Sequence, residues 1–415
     1  MRFSIPKPTF YQFLYALCVI VLFWKNYELT FSVWLITALI TFRLKYSFSF
    51  FRLVMAFVAI IAVAFVVGLS RDPLLKDFLK DITMLLKPIL GLVIGYQIIK
   101  NNEVNTKVFF KIIIYTGLLS ALIHLGILAY SFAFENIKTV HNLRHFGGYF
   151  NDYETYIFVI LLFYKEFGIN LTKKQFYLFS VIIFTSVLFY FARTNFLQIL
   201  ILYLALKGYF ILNKRSITIL ASVAIIGGLV YAGIYNYNPR RGATGIEGFL
   251  YKVKVAPTEP FKTHVNSAYW KDFHDNYRSY ENILTVRQVT RQGTETVLFG
   301  EGLGSFLDLK RKVWLHTSSM QYIPFLHNSF MTVFLKSGIL GLCFYFYTIY
   351  FFFKRRESID SEDRQINLLL LGTGFFMILS SWVFLGFYNQ IDAKSILIGA
   401  FLAYKENKQA SKTLN

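Results

Sequence analysis

Charged side chains are scarce in this sequence. Asp, Glu, Lys and Arg make up 16% of its 415 residues, whereas 55% are hydrophobic and 19% are aromatic. Soluble domains are about a quarter charged, and a water-soluble fold of this size cannot bury so much apolar surface. The apolar residues form long runs with short polar breaks, as a bilayer core of about 30 Å demands. The scarcity of charge therefore excludes an ordinary soluble protein and predicts an all-α polytopic membrane protein.

Cysteine and signal-processing features are also nearly missing. The two cysteines, Cys18 and Cys343, each lie in an apolar run, where cysteine packs as a small hydrophobe and says nothing about redox compartment. Arg2 and Lys7 precede the first apolar run, but no small-residue cleavage site follows it. We therefore predict an uncleaved first helix. No internal repeat and no low-complexity tract is evident.

Acidic residues are few relative to basic ones: 23 Asp and Glu against 43 Lys and Arg give a formal net charge of +20. Nucleic-acid binding is one explanation of such a balance. However, the basic residues cluster in short connections between apolar runs, as the positive-inside rule requires of cytoplasmic loops. We therefore expect a lipid bilayer, and no nucleic acid, as the partner of this surface.

Hydropathy predicts about twelve spans within a single integral membrane domain, residues 1–415. With the N-terminus inside, every even-numbered connection is basic and cytoplasmic. The long segment from about Asn236 to Leu326, residues 236–326, then lies on the opposite face and is called the outer loop below. Within it, Tyr269 to Gln292 is expected to be helical, before a glycine-rich turn from Phe299 to Gly304. The predicted spans are 9–24, 29–42, 48–69, 83–100, 108–134, 153–168, 175–192, 195–212, 216–236, 328–353, 366–387 and 393–405.

Five arginines make the predicted outer face unexpectedly cationic. Arg193 lies in a short break between two spans, where it either snorkels to lipid phosphate or clamps an anion, because guanidinium grips phosphate bidentately. Arg144 lies in the outer segment 135–152. Three further candidates are arginines of the outer loop, where scattered cations are usually solvated surface: Arg278, Arg287 and Arg291. Since Arg278 lies nine residues before Arg287, one helix face cannot present all three.

His327 stands where the outer loop re-enters the membrane, followed by Asn328 and then by Gly338 and Gly341. An imidazole at such a boundary titrates near neutrality and can take a proton from a hydroxyl. The alternative is a capping His-Asn pair with two packing glycines. The preceding Gly300–Gly304 turn lacks the strand and the Gly-Lys-Ser/Thr of a nucleotide loop, and no histidine pair has the further ligands of a zinc site.

These motifs together resemble the O-antigen ligase and polymerase superfamily. The His-Asn pair, nine residues and Gly-x-x-Gly follow a large loop with Phe-Gly-x-Gly-x-Gly, and the segment Arg144 to Asn151 and the Arg193-Thr corner resemble earlier landmarks of that family. The resemblance implies a GT-C-like, metal-independent, inverting glycosyltransferase without a cofactor. Its donor would be an undecaprenyl-pyrophosphate-linked oligosaccharide. It would act at the periplasmic face of a bacterial inner membrane.

The resemblance also implies roles for individual residues. His327 would activate the acceptor hydroxyl, while Arg193 and Arg278 would hold the pyrophosphate and stabilise its developing charge. The family tryptophan after the loop arginine is absent here, so Arg287 or Arg291 are alternatives to Arg278. The expected substrate-binding set is Arg144, Arg287, Arg291, Asn328, Gly338 and Gly341. A repeat-unit polymerase is favoured over an O-antigen ligase or a lipid-linked glycan flippase; whether a chain-length regulator also binds is left open.

Overall fold

The computed structural model describes residues 7–101, 106–135, 140–211, 213–315, 318–354 and 356–413. The chain is mostly helical, as the sequence predicts. The helices are α1 (Lys7–Ile20), α2 (Tyr27–Ile40), α3 (Phe48–Ser70), α4 (Leu75–Asn101), α5 (Thr106–Phe134), α6 (Val140–Gly147), α7 (Asp152–Leu162), α8 (Lys173–Phe189), α9 (Arg193–Leu206), α10 (Lys214–Tyr237), α11 (Gly245–Val255), α12 (Trp270–Asp275), α13 (Tyr277–Arg291), α14 (Thr294–Phe299), α15 (Ser329–Phe353), α16 (Ser361–Val383) and α17 (Lys394–Thr413). Short 3₁₀ turns cover Val21–Trp24 and Gly386–Tyr388.

Six helices within the described residues are long and apolar enough to cross a membrane: α3, α4, α5, α10, α15 and α16. A helix also lies at each of the other predicted spans, but several are short. Helix α7 has 11 residues and α9 has 14, which correspond to only about 16 Å and 21 Å at about 1.5 Å per residue. The membrane character is thus supported, whereas the twelve-span topology stays a prediction.

Side-chain caps mark where several of these helices begin. Asn26, Ser47, Asn151 and Asn328 each accept a hydrogen bond from the backbone N–H three residues on. Such caps satisfy one of the free donors that every helix N-terminus carries. They therefore locate helix starts that hydropathy alone leaves uncertain by several residues.

Helices α4 and α17 pack through glycines. A Cβ on Gly95 would lie 1.9 Å from the carbonyl oxygen of Ile396, and one on Gly399 would lie 2.0 Å from that of Leu92. Small residues let helix backbones approach closely where lipid, rather than water, surrounds them. Helix α10 is the opposite case, because Ser216 is its one buried residue. A helix that is apolar all round yet uncovered by protein fits a lipid-facing position.

The outer loop forms a small unit of its own between α10 and α15. Strands β1 (Leu307–Leu315) and β2 (Ser318–Ile323) pair antiparallel, with Leu307 opposite Ile323. Buried apolar residues of α12, α13, the hairpin and the start of α15 form its core. The helix predicted over 269–292 is confirmed as α12 and α13; the hairpin was not predicted. Which side of a membrane this unit occupies stays a prediction.

The glycine turn, residues 299–304, docks into a kink of α15. Gly338 has φ +61°, which interrupts the helix, and the N–H groups of Glu301 and Gly302 donate to the carbonyls of Leu335 and Lys336 at 2.7 and 3.0 Å. A kink leaves such carbonyls without the N–H donors of a regular helix, and a buried carbonyl then needs a hydrogen-bond donor from elsewhere. The glycine turn and the kink at Gly338 are thus joined by backbone hydrogen bonds.

Candidate active site

A cavity of about 280 Å³ brings together cations from four separate parts of the chain. Its lining includes Arg144 in α6, Arg193 at the start of α9, Lys252 in α11 and Arg278 in α13. We call it the cationic cavity. One carboxylate, that of Glu259, lies among these groups as the ion-pair partner of Arg278. Four cations around one carboxylate form a site of positive potential suited to an anion.

Arg193 occupies a tight corner between α8 and α9. Helix α8 ends at Phe189, and Phe191 adopts a left-handed conformation with φ +45° before α9 begins at Arg193. Such a conformation is uncommon for an aromatic residue and marks a constrained turn. The guanidinium donates to the backbone carbonyl of Lys252, so Arg193 joins α9 to α11 across the cavity.

Arg144 approaches the cavity from α6. Its guanidinium lies 5.1 Å from the ring centre of Tyr149, and Nη2 donates to the Tyr149 carbonyl at 3.4 Å. The Nε of Arg144 is buried and has no hydrogen-bond partner among the described residues. Burial, and then the charge of Arg278, lowers the pKa of Arg144. A buried donor without a partner carries a desolvation cost that an anionic ligand would remove.

Arg278 and Lys252 complete the set of cations. The Nη1 of Arg278 donates to Glu259 at 2.6 Å, whereas its Nε is buried without a partner in the described residues. Burial lowers the pKa of Lys252, and the charges of Arg144 and Arg193 lower it further. All four cations line the same cavity, so a single bound anion could contact several of them.

Two helix N-termini also border the cavity. The N-cap residues Ala192 of α9 and Thr244 of α11 make no side-chain capping bond, and both line the cavity together with Thr194 and Gly245. An uncapped first turn presents free N–H groups and the positive end of the helix dipole, a common anion site. Gly245, with φ +63° and open space where a Cβ would stand, lets a ligand approach this backbone closely.

His327 is paired with Glu281 of α13. Its Nδ1 lies 3.1 Å from both carboxylate oxygens, and its backbone N–H donates to the same group at 3.0 Å. The Glu281 side chain is 1% exposed, whereas that of His327 is 41% exposed. The charge of Glu281 is the largest influence and raises the pKa of His327. With Nδ1 engaged by the carboxylate, Nε2 is the ring nitrogen that can accept a proton.

One turn of α13 connects the histidine to the cationic cavity. Arg278 and Glu281 are three residues apart, so a single helical face directs one toward the cavity and the other toward His327. Asn328 is buried, caps α15 and donates to Asn282 of the same turn at 3.2 Å. The histidine does not itself line the cavity, but the charge of Arg278 acts on it.

The remaining candidates lie elsewhere. Arg287 and Arg291 are exposed on α13 and do not line the cavity. Arg287 lies nine residues after Arg278, which is about two and a half turns, so it points to the opposite side of the helix. Gly338 faces the backbone of Leu298 and Phe299, and Gly341 packs on Ser337 of its own helix. These contacts explain both glycines by packing, and their expected role in substrate binding remains a prediction.

Several charged residues near the site were not predicted. Lys252, Glu259 and Glu281 belong to a polar loop in which no spacing distinguishes them from solvated surface. Two lysines inside apolar runs were detectable, since charge at membrane depth is costly. Lys336 binds Asp81, both at most 1% exposed, and Asp81 also accepts from Gly304 N–H at 2.7 Å. Lys394 lies 2.8 Å from Asp152 and 2.6 Å from Asp392.

Comparison with known proteins does not assign the site. No protein-family model matches the chain, and no curated protein matches it. Within the described part of the chain, no group of three or more His, Cys, Asp or Glu side chains is arranged to hold a metal ion.

Proposed function

We propose that this chain is a membrane glycosyltransferase that polymerises undecaprenyl-pyrophosphate-linked oligosaccharide repeat units of a surface polysaccharide. The observation that carries the proposal is the joining of two sites by one turn of α13. Arg278 of that turn lines a cavity with three other cations, and Glu281 of the same turn holds His327. An anion clamp beside a carboxylate–histidine pair is what displacement of a pyrophosphate by a hydroxyl requires.

The cationic cavity fits the leaving group of this reaction. Cleaving the glycosidic bond leaves its electron pair on a pyrophosphate oxygen, and fixed cations stabilise the charge that develops there. Arginines at 144, 193 and 278 stay charged and bind phosphate through paired N–H donors. The free N–H groups at the starts of α9 and α11 add donors that need not reorganise during the reaction.

His327 fits the role of general base. Its neutral imidazole accepts the proton of an acceptor sugar hydroxyl at Nε2, while the hydroxyl oxygen forms a new bond to the anomeric carbon of the donor. Attack opposite the departing pyrophosphate inverts that carbon. The buried Glu281 carboxylate orients the ring and stabilises the imidazolium that results. The products are a longer glycan and undecaprenyl pyrophosphate.

Two alternatives use the same surfaces. An O-antigen ligase would perform the same displacement with a lipid A-core or another acceptor, and the catalytic groups described here serve it equally well. A flippase for lipid-linked glycans needs a cationic path but has no use for a paired base; its ionisable groups are expected near the membrane midplane within repeat symmetry. The Glu281–His327 pair therefore favours a transferase.

The location of the reaction follows from the proposed topology. With the outer loop on the periplasmic side of a bacterial inner membrane, the glycan would extend into the periplasm and the polyprenyl chain would stay in the bilayer. A polysaccharide chain-length regulator is a candidate partner at the same face.

The test uses purified full-length protein in lipid nanodiscs with lipid-linked repeat units, first alone and then with a lipid-core acceptor. We expect polymer from repeat units alone, and a loss of about 100-fold or more in rate for His327→Ala and for Arg193→Ala. His264→Ala, which alters an exposed histidine of the same loop, is the matched control and should retain full rate. Transfer only to the lipid-core acceptor would show a ligase rather than the proposed polymerase. Full activity of His327→Ala would refute the role of His327 as general base.

A further inference from the structure

A second cavity lies next to the cationic cavity and is more than twice as large, at about 610 Å³. Its walls come from the turn between α1 and α2, the end of α6, strand β1 and the segment before α17. Tyr149 lines both cavities. A ligand that fills the two would therefore pass the ring of Tyr149. Volumes of about 300–1,000 Å³ are typical of small-molecule sites.

The second cavity is not built for a phosphate. Among its described lining residues there is no carboxylate, and its one lysine, Lys25, is already engaged. The Nζ of Lys25 donates to the backbone carbonyls of His145 at 3.1 Å and Phe146 at 2.8 Å. A lysine that donates to two carbonyls has less capacity to bind an anion than the Nε atoms of Arg144 and Arg278 in the cationic cavity, which have no partner among the described residues.

Amide side chains supply the polar groups of this cavity. Asn26 caps α2, because its Oδ1 accepts from Leu29 N–H at 2.8 Å, and its Nδ2 makes no hydrogen bond to a described residue. Gln390 is exposed and likewise makes no side-chain hydrogen bond within the described residues. An amide offers donors and an acceptor together, which is the pattern that vicinal sugar hydroxyls require.

Aromatic rings form the apolar part of the lining. Tyr27, Tyr149 and Trp314 all face the cavity, and Trp314 remains 76% exposed on strand β1. A tryptophan or tyrosine combines a flat apolar face with one polar edge. The C–H face of a pyranose ring stacks on such a surface while its hydroxyls bond to neighbouring amides. Uncharged rings and free amides around one space thus indicate carbohydrate.

We propose that the second cavity is a saccharide site that holds an uncharged sugar chain beside the pyrophosphate in the cationic cavity. The proposal rests on the proposed function, because it names the sugar-binding part of the same substrate path. Arg144 links the two sites, since its guanidinium lies over the ring of Tyr149. The sugar chain belongs either to the donor or to the acceptor, and the experiment separates the two.

Binding is measured with two probes on full-length protein in nanodiscs. One is the repeat-unit oligosaccharide freed of lipid and phosphate; the other is undecaprenyl pyrophosphate without sugar. We expect a Trp314→Ala/Gln390→Ala variant to lose at least tenfold in affinity for the oligosaccharide while binding undecaprenyl pyrophosphate within twofold of the parent. Trp24→Ala removes a tryptophan that is 63% exposed but outside the lining, and should change neither affinity.

Kinetics distinguish donor from acceptor. If the parent protein elongates the lipid-free oligosaccharide and the double variant raises KM for that acceptor alone, the cavity holds the acceptor. If the variant raises KM only for the lipid-linked donor, the cavity holds the donor. Equal oligosaccharide affinity in parent and double variant overturns the saccharide site and leaves the transferase intact. Tight oligosaccharide binding that the double variant loses, without any transfer by the parent, supports the site and overturns the transferase instead.

Discussion

The largest influence on the acid–base behaviour of His327 is the neighbouring residue Glu281. Its carboxylate is buried, lies 3.1 Å from Nδ1, and raises the pKa of the imidazole through its charge. The protonated ring is therefore favoured over a wider pH range than in an isolated histidine. Because a general base must be neutral, the proposed activity should be low on the acid side and rise as the pH passes upward through the raised pKa of His327.

Replacing Glu281 by glutamine tests this pairing. The neutral amide no longer stabilises the imidazolium, so the pKa of His327 falls and the acid limb of the kcat/KM profile should move to lower pH. We also expect kcat to fall about tenfold or more because the ring loses its orienting partner. Glu301→Gln, at another buried carboxylate of the same loop, serves as control. An unmoved acid limb in Glu281→Gln would contradict the pairing.

At the scale of elements, the kink of α15 and the glycine turn depend on each other. A Cβ on Gly338 would lie 2.4 Å from the backbone of Leu298, and one on Gly300 would lie 2.5 Å from that of Lys336. These neighbours are backbone atoms, which cannot move aside as the end of a flexible side chain can. Asp81 of α4 also contacts the turn, because its carboxylate accepts hydrogen bonds from the Gly304 N–H and from the Lys336 ammonium. This contact sets where the outer loop returns to α15, and hence the position of His327 at its start.

Gly338→Ala should therefore destabilise the protein. The left-handed conformation and the backbone clash together cost about 2 kcal/mol or more, which should appear as a lower thermal midpoint in a detergent-based unfolding assay. Gly228→Ala is the matched control, since nothing lies within 4 Å of its added Cβ on the exposed helix α10. Alanine is the better helix former there, so its midpoint should be unchanged or higher. Equal midpoints for both variants would disprove the role given to Gly338.

At the scale of the whole molecule, the proposed function requires the outer loop and the even-numbered connections to lie on opposite sides of the membrane. Lys312 on strand β1 and Lys174 at the start of α8 are both exposed, and each is replaced by cysteine in turn. A membrane-impermeant maleimide should label Lys312→Cys in intact spheroplasts, but Lys174→Cys only after permeabilisation. The parent, with Cys18 buried and Cys343 in the apolar helix α15, controls for background. Labelling of Lys174→Cys in intact cells would reverse the topology.

Part of the site could be anticipated from particular residues. Arg193 and His327 stand out because each interrupts or ends an apolar run, where a charge or an imidazole is costly and therefore conspicuous. The family resemblance predicts Arg278, with Arg287 or Arg291 as alternatives, and of these three arginines Arg278 lines the cavity. Lys252, Glu259 and Glu281 gave no such signal, because charged residues in a polar loop are ordinary until their neighbours are known.

The sequence by itself determined that the chain is helical and membrane-like, because the length and spacing of apolar runs depend only on the local solvent each helix needs. It also determined that Arg278 and Arg287 could not share a helix face, since that follows from helical periodicity. Only the tertiary structure decided which cations meet around one cavity, that Glu281 holds His327, and that a second cavity adjoins the first. Those contacts join residues far apart in the chain, and local pattern carries no information about such distances.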